Sequence, residues 1–375
     1  MIKNPPRKIL LNPGPCTTTH RVKNAQIISD ICPREEEFGL VINTIRLNLI
    51  NIINADPKSY STVLFGGSGT AAVESVIASA ISEKDRGLLL INGMYGKRIH
   101  EISKIHKKYI ETMNFNYNEP IDFSKVENYL KSQNRISHLI MVHNETTTGL
   151  LNSIDSFSKV AKKFNLITIL DAMSSFGAIP INYDISPIDF LISSSNKCLQ
   201  GMPGISFSIC DVSELQKIKS YKNFSFYLDL FNQFESLERS GQMRFTPPVQ
   251  TMYAFDEAIK ELMEEGVDQR FKRYTENWNF LRSKLEEIGF KFYLKQKDES
   301  HILTCVLEPL NKKYNYKILH DLLYKNGFTI YPGKLDSDNT FRIANIGSIY
   351  KADIKNFINR LKSSLMKMEI KKLIY

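Results

Sequence analysis

Residues 166–172 read Leu-Ile-Thr-Ile-Leu-Asp-Ala, and residues 189–197 read Asp-Phe-Leu-Ile-Ser-Ser-Ser-Asn-Lys. Each stretch is a short apolar run followed by polar residues, which is typical of a buried strand that leads into a loop. Asp171 and Lys197 therefore follow two buried strands. In open α/β sheets, ligands bind outside the carboxyl ends of the strands, so both side chains are candidates for one site.

Similar apolar runs recur along the first two thirds of the chain and alternate with helical segments. They cover residues 62–65, 87–91, 109–113, 138–142, 166–170, 190–193 and 205–209. This alternation predicts an α/β fold with a mainly parallel sheet and helices on both faces. We expect an N-terminal arm over residues 1–20 and a large α/β domain over residues 21–265, with a first long helix at 35–54.

The last third of the chain has a different pattern. Residues 266–289 carry apolar side chains at steps of three and four, which predicts one long connecting helix. Beyond it, strand-like and helical runs mix, which predicts a small α+β domain within residues 266–375. The strand-like runs are 291–294, 303–307, 328–331 and 341–344, and the helical runs are 314–326 and 351–366.

Composition narrows the class of protein. The chain has 375 residues and a formal net charge of +9, but its basic residues are scattered, so we expect no nucleic-acid partner. It contains no 18-residue apolar stretch and begins without the hydrophobic run of a signal peptide, so we expect a cytoplasmic protein with no membrane span. The five cysteines are odd in number and lack C-x-x-C spacing, which implies neither a disulfide framework nor a metal site.

Asp171 and Lys197 suit the chemistry of pyridoxal phosphate. A lysine amine holds the aldehyde of that cofactor as a Schiff base, while a carboxylate keeps its pyridine nitrogen protonated so that the ring accepts electrons. Taken singly, Asp171 could be a helix cap and Lys197 a solvated loop residue. Their joint position after strands favours the functional interpretation.

A phosphate site is predicted upstream of this pair. Residues 65–74 read Phe-Gly-Gly-Ser-Gly-Thr-Ala-Ala-Val-Glu, follow a strand and open a helix, so backbone N–H groups and the helix dipole point at an anion. The run lacks the G-K-[ST] ending of a nucleotide P-loop and the G-x-G-x-x-G spacing of a dinucleotide site. Its pattern therefore favours a site for a single phosphate. A merely tight turn is the alternative interpretation of these glycines.

Two further runs lie after predicted strands. Residues 92–98 contain Tyr95, an aromatic residue placed to lie over a cofactor at the sheet edge, although local packing would also explain it. Residues 143–149 read His-Asn-Glu-Thr-Thr-Thr-Gly and supply hydroxyls that could reach a phenolic oxygen, although hydroxyls in turns are usually caps.

Together these motifs resemble the class V, fold-type I pyridoxal phosphate aminotransferases. The resemblance also includes Leu-Asn-Pro-Gly-Pro at 11–15, the run at 171–177 and the run at 194–204, and it covers nearly the whole chain. Within the class, residues 30–38 and 196–204 resemble the branch that acts on 2-aminoethylphosphonate and pyruvate. The reaction of that branch would convert these two substrates into phosphonoacetaldehyde and L-alanine. In the cell it could run in either direction.

The resemblance implies a role for each matching residue. Lys197 would carry pyridoxal phosphate, Asp171 would contact its pyridine nitrogen, and Arg342 would bind the acidic group of the substrate. Arg34 is a second candidate for the phosphonate, although pairing with a neighbouring glutamate explains it equally well. A homodimer is implied, because Thr246 would reach the partner's cofactor. The cofactor contacts implied are Ser68, Gly69, Thr70, Tyr95, Thr146, Asp171, Lys197 and Thr246.

Three other interpretations remain. An alanine- or serine-glyoxylate aminotransferase would share the scaffold, but that branch usually stacks tryptophan where this chain has Tyr95, and the single Trp278 falls in the long helix. A cysteine desulfurase would need a stacking histidine and a cysteine on a flexible late loop, whereas Cys305 lies in an apolar strand run. A non-enzymatic scaffold is disfavoured because Asp171, Lys197 and Arg342 are all present.

Overall fold

The computed structural model describes residues 6–133, 135–222, 225–333, 335 and 339–375. The strands are β1 (Ile9–Leu10), β2 (Tyr60–Gly66), β3 (Gly87–Ile91), β4 (Ile110–Asn114), β5 (His138–Val142), β6 (Asn144–Glu145), β7 (Leu150–Leu151), β8 (Ile167–Asp171), β9 (Phe190–Ser194), β10 (Ile205–Asp211), β11 (Leu303–Leu307), β12 (Phe328–Thr329), β13 (Tyr331–Pro332) and β14 (Thr340–Ala344). The helices are α1 (His20–Asn24), α2 (Glu36–Asn51), α3 (Gly69–Ala80), α4 (Met94–Ile105), α5 (Phe123–Lys131), α6 (Ile154–Phe164), α7 (Val212–Ile218), α8 (Leu230–Ser240), α9 (Val249–Glu265), α10 (Val267–Ile288), α11 (Tyr316–Lys325) and α12 (Lys351–Lys367).

The central sheet has seven strands in the order β2-β10-β9-β8-β5-β3-β4. Strand β10 runs antiparallel to both of its neighbours, and the other pairs are parallel. Every residue of β3, β5 and β9 is buried, as expected for parallel strands that helices cover on both faces. The predicted α/β fold and mainly parallel sheet are thus confirmed, and β8 and β9 are adjacent, as Asp171 and Lys197 require.

The buried apolar side chains form separate cores. One cluster runs from Phe38 to Leu262, and a second holds residues between Leu281 and Leu373. Ile9 and Leu11 of the N-terminal arm belong to the second cluster, because β1 pairs with β12. The arm therefore crosses back to pack with the C-terminal part of the chain. The boundaries 1–20, 21–265 and 266–375 stay a prediction, which these two cores support.

Two strand predictions in the last third need correction. No strand forms over residues 291–294: Phe292 makes only an isolated bridge to Val306, since the backbone bends away at 293–294 into a 3-10 turn. The run at 328–331 is divided at Ile330, because β12 pairs with β1 whereas β13 pairs with β14. Apolar periodicity shows that a segment is buried, but it cannot show which partner each residue meets.

Helix α10 links the large and small parts. Its Tyr274 is fully buried, and the Tyr274 hydroxyl accepts hydrogen bonds from the Gln200 side chain (2.7 Å) and from the Gly347 N–H (2.8 Å). One phenol thus joins the loop that carries Lys197 to the segment after β14. Among the helices of the described residues, none combines the length and the apolar character that crossing a bilayer requires.

Candidate active site

A cavity of about 450 Å³ lies at the carboxyl ends of the central strands. Six of the residues predicted from the sequence line it, namely Ser68, Gly69, Thr70, Tyr95, Asp171 and Lys197. They come from four separate segments that only the fold of the sheet brings together. Their individual roles stay predictions, and the structure places them around one space.

The first wall of the cavity is the start of α3. Ser68 is the N-cap residue and its side chain makes no capping hydrogen bond, so the first turn presents backbone N–H groups to the cavity. Gly69 lies close to Met173: a Cβ atom at this position would lie 2.2 Å from the Met173 sulfur, and that side chain would have to move. The backbone and Met173 together form a close cradle at the positive end of a helix, which suits a phosphate group.

Asp171 forms the floor of the cavity at the end of β8. Its side chain is buried, and one carboxylate oxygen accepts a hydrogen bond from the Met173 N–H at 2.9 Å. Burial raises the pKa of the Asp171 carboxyl to about 6, while the Met173 N–H, Arg98 and Lys197 act against that rise. A buried carboxylate is poised to pair with a protonated ring nitrogen, because the pairing compensates its desolvation.

Lys197 reaches the cavity from the loop after β9. Its Nζ donates a hydrogen bond to the Pro13 carbonyl oxygen at 2.8 Å. The adjacent Gly14 has a φ of +127°, and a Cβ atom there would lie 2.4 Å from Nζ. Burial lowers the pKa of the Lys197 amine, although the neighbouring thiols of Cys16 and Cys198 oppose the shift. A lowered pKa increases the fraction of free amine, the form that acts as nucleophile or base.

Tyr95 projects from the first turn of α4. The Tyr95 N–H donates to Glu145 Oε2 at 3.2 Å, and the Thr147 hydroxyl donates to Glu145 Oε1 at 2.6 Å. Glu145 is fully buried, and burial raises the pKa of its carboxyl. A Cβ atom at Gly93 would lie 2.0 Å from the Glu145 side chain, so the helix can approach this carboxyl only through glycine. The contact fixes Tyr95 relative to the turn that holds Thr146.

Thr146 and Arg342 lie together on one side of this arrangement. Arg342 is fully buried, and its Nη1 donates to the Thr146 carbonyl oxygen at 2.9 Å. Its Nε and Nη2 both donate to the Pro332 carbonyl oxygen, at 3.0 and 2.9 Å. The Thr146 hydroxyl donates to the Ser174 hydroxyl oxygen at 3.1 Å. The positive charge of Arg342 also lowers the pKa of the Lys197 amine, which places the two cations near each other.

Arg34 and Thr246 do not line the cavity of their own chain. The Arg34 guanidinium donates to the carbonyl oxygens of Met243 (2.6 Å) and Arg244 (3.0 Å), and Thr246 is exposed two residues further on. The structure therefore brings these two residues to one surface segment, separate from the other predicted residues. Their predicted roles both depend on a second subunit or on movement of this segment.

Three residues of the site were absent from the sequence prediction. Arg98 and Met173 line the cavity, and Glu145 holds the first turn of α4. Arg98 could have been found, because it lies three residues after Tyr95 and so shares its face of the helix. The contact between Glu145 and α4 had no local signal, since the N–H groups of α4 that donate to it lie about fifty residues earlier in the chain.

The residues present fit pyridoxal phosphate. The cavity combines an anion cradle at a helix N-terminus, an aromatic ring, a buried carboxyl and a lysine with a lowered pKa. Ser68, Gly69 and Thr70 would hold the phosphate, Asp171 would meet the pyridine nitrogen, and Lys197 would hold the aldehyde carbon. Such a set serves reactions at carbon atoms that carry amino groups.

Comparison with known proteins identifies the class. The family described as Aminotransferase class-V matches residues 16–330. The chain belongs to the class-V aminotransferase family, and its cofactor is pyridoxal phosphate. The fold agrees, because the solved ureidoglycine-glyoxylate aminotransferase from Bacillus subtilis superposes with a TM-score of 0.89, covering 99% of this chain and 96% of that one at 20% identity.

Curated relatives narrow the similarity further. The chain is 41% identical over 347 residues to a 2-aminoethylphosphonate–pyruvate transaminase of Lysinibacillus sphaericus (strain C3-41), covering 92% of this chain and 94% of the relative. It is also 41% identical over 361 residues to a bifunctional phosphonoacetaldehyde hydrolase/aminoethylphosphonate transaminase of Clostridioides difficile (strain 630). That alignment covers 94% of this chain but only 56% of the longer relative.

Proposed function

We propose that the chain transfers the amino group of 2-aminoethylphosphonate to pyruvate and so forms phosphonoacetaldehyde and L-alanine. The observation that carries the proposal is the convergence of Lys197 and Asp171 on one cavity, with the buried Arg342 held beside it. The relatives named as 2-aminoethylphosphonate–pyruvate transaminases support the choice of substrates. The transfer is reversible, so the same site can serve either direction.

The amine of Lys197 is the proton carrier in this proposal. In the described residues its Nζ donates one hydrogen bond, to the Pro13 carbonyl oxygen, and its lowered pKa increases the fraction of free amine. Nζ can therefore accept a proton from the amine-bearing carbon of one substrate and return it during the reverse sequence with the other. When bound, pyridoxal phosphate supplies the aldehyde that receives the amino group and a ring that accepts the electron pair.

Arg342 is the proposed anchor for the acidic group of both substrates. Three of its five N–H donors are used by carbonyl oxygens, which fixes the plane of the guanidinium. A planar guanidinium with a fixed orientation can bind a carboxylate or a phosphonate by donating parallel charge-assisted hydrogen bonds to it. The phosphonate carries more charge, and Arg34 is the proposed second cation, provided that a partner subunit presents it.

We also infer a homodimer that works in the cytoplasm. Thr246 is exposed in the single chain, and the proposed contact with the phosphate of the partner's cofactor gives it a function. The segment is held in place by Arg34, which contacts the carbonyl oxygens of Met243 and Arg244. None of the five cysteines, all of which lie in the described part of the chain, forms a disulfide, as suits a reducing compartment.

An amino-donor screen tests the proposal. Purified protein loaded with pyridoxal phosphate is incubated with pyruvate and one donor at a time, and the L-alanine formed is measured. We expect 2-aminoethylphosphonate to be the best donor, with Lys197→Ala as the inactive control. If the protein used alanine with glyoxylate and formed no alanine from 2-aminoethylphosphonate, the glyoxylate branch of the class would replace this proposal.

A further inference from the structure

Arg98 is a cation that lines the cavity and has no role in the reaction proposed above. It lies on α4, three residues after Tyr95, and both residues line the cavity together with Asp171. The centre of its guanidinium lies 4.8 Å from the centroid of the Tyr95 ring, a distance at which a cation interacts with an aromatic face. In the part of the chain that the structure describes, no carboxylate forms an ion pair with Arg98.

Arg98 is half-buried, so its charge is screened less by water and acts on the charged groups of the cavity that it lines. Asp171 lines the same cavity, and the Arg98 charge lowers the pKa of that carboxyl, against the opposing effect of burial. The other charged or titratable groups around Asp171 are Lys197, Glu145 and His143. Lys197 acts in the same direction as Arg98, and the buried Glu145 acts against both.

His143 does not add to this field. The backbone N–H of His143 donates to the Asp171 backbone carbonyl oxygen at 2.9 Å. Its ring nitrogen Nδ1 is hydrogen-bonded to the Ser175 hydroxyl at 2.8 Å. Burial lowers the pKa of the His143 imidazole to about 3, so the ring is uncharged near neutral pH. The amine of Lys197 would be used to hold the cofactor, so the charge of Lys197 is not permanent. Arg98 is therefore the permanent positive charge that acts on Asp171.

We propose that Arg98 is a positioning residue of the site: it lies against the Tyr95 ring and keeps the Asp171 carboxylate ionised, ready to receive the pyridine nitrogen of the cofactor. The proposal rests on the proposed role of Asp171. Arg98 thus acts through Tyr95 and Asp171, and the sequence expectation included neither contact. Its permanent charge suits this task, because a guanidinium stays protonated over the whole working range of pH.

The test measures the dissociation constant of pyridoxal phosphate for the full-length, cofactor-free protein between pH 5.5 and 9. The variants are Arg98→Gln, which removes the charge, Arg98→Lys, which keeps it, and Asp171→Asn. The matched control is Lys97→Gln, which removes one charge from the adjacent position of α4, where Lys97 is exposed and lies 5.3 Å from the Tyr117 ring centroid. Ratios to the wild-type constant cancel the titration of the cofactor itself.

We expect the Arg98→Gln ratio to depend on pH. Binding should be about tenfold weaker near pH 6.5, where more of Asp171 would be protonated, and should approach the wild-type value near pH 9. Arg98→Lys and Lys97→Gln should follow the wild-type profile. In the Asp171→Asn background, Arg98→Gln should add no further pH dependence.

Other outcomes would overturn the proposal. A loss in Arg98→Gln that is the same at every pH would show a purely structural role for Arg98, and an unchanged profile would show no role at all. If Arg98→Gln does not fold, an Arg98→Lys profile shifted away from the wild type would count against the proposal. A wild-type profile in Asp171→Asn would remove Asp171 from its role and the proposal with it. Because binding is measured, none of these outcomes depends on 2-aminoethylphosphonate being the substrate.

Discussion

Arg342 and Thr146 are joined by a hydrogen bond of 2.9 Å between the guanidinium Nη1 and the threonine carbonyl oxygen. Arg342 lies on β14 of the small sheet, and Thr146 lies in the turn between β6 and β7 at the edge of the large sheet. The bond therefore connects the two parts of the chain at the proposed substrate site. Because the guanidinium is fully buried, its orientation depends on both parts being in place.

Arg342→Lys should weaken both half-reactions. A lysine keeps the charge but cannot contact the Thr146 and Pro332 carbonyl oxygens and a bidentate anion at once. We expect a loss of about 1.5–3 kcal/mol in transition-state stabilisation for each half, the value of one charged hydrogen bond. Single-turnover absorbance spectroscopy follows the two halves separately. Arg360→Lys, on the exposed face of α12, is the matched control and should behave as the wild type.

Lys197→Ala should abolish turnover by several orders of magnitude while the protein stays folded. In the described part of the chain, Lys197 is the one lysine that lines the cavity. Alanine has no amine to hold the cofactor or to donate to the Pro13 carbonyl oxygen. Borohydride treatment of the loaded wild type should attach the cofactor to Lys197, as peptide mass spectrometry can show. Lys222→Ala, which alters an exposed lysine near Glu83, serves as the control. Labelling of Lys222 in the wild type would disprove the assignment.

Gly14→Ala should damage the site through the position of the lysine. Its φ of +127° strains any other residue, and its Cβ atom would overlap with Lys197 Nζ. We expect cofactor binding to fall by at least about tenfold, in addition to about 1–2 kcal/mol of backbone strain in the free energy of unfolding. Gly266→Ala is the control, because Gly266 has a φ of +81° with no atom within 4 Å of a Cβ. Equal cofactor affinity in both variants would contradict the proposed close approach.

The cofactor-free protein should lose stability as the pH rises through the titration of Asp171. The folded-state pKa of about 6 exceeds the ordinary value of 3.8, so the folded protein binds this proton more tightly than the unfolded chain. The contribution is fully present below pH 3.8 and is lost by about pH 6, a change of about 3 kcal/mol. Urea unfolding of the wild type and Asp171→Asn at several pH values measures it. Parallel pH profiles for the two proteins would argue against a raised pKa.

Mixed dimers test whether Thr246 acts across a subunit interface. Thr246→Ala alone should bind the cofactor weakly, because a hydroxyl contact to the phosphate is lost. A dimer of one Lys197→Ala chain and one Thr246→Ala chain should regain one complete site, with Lys197 from one subunit and Thr246 from the other. Activity at limiting pyridoxal phosphate should then reach about half of the wild-type value. No recovery on mixing would place Thr246 in its own subunit's site or outside any site.

The local sequence was sufficient to predict the seven strands of the central sheet. The strand predicted at 87–91 and the strand predicted at 138–142 agree residue by residue with β3 and β5. These strands are buried on both faces, so the apolar run and the strand have the same length. The predicted helix at 266–289 agrees equally well, since glycines flank it and its apolar positions repeat at helical spacing.

Only the tertiary structure decided which residues contact one another around the site. Glu145 contacts α4, Pro13 receives the Lys197 amine, and Arg342 binds the Thr146 carbonyl oxygen, and each contact joins residues at least 49 positions apart. The direction and spacing of side chains along one segment specify which face is buried, because those properties are local. Which backbone carbonyl or helix end a buried charge meets depends on how several segments pack, and no single segment carries that information.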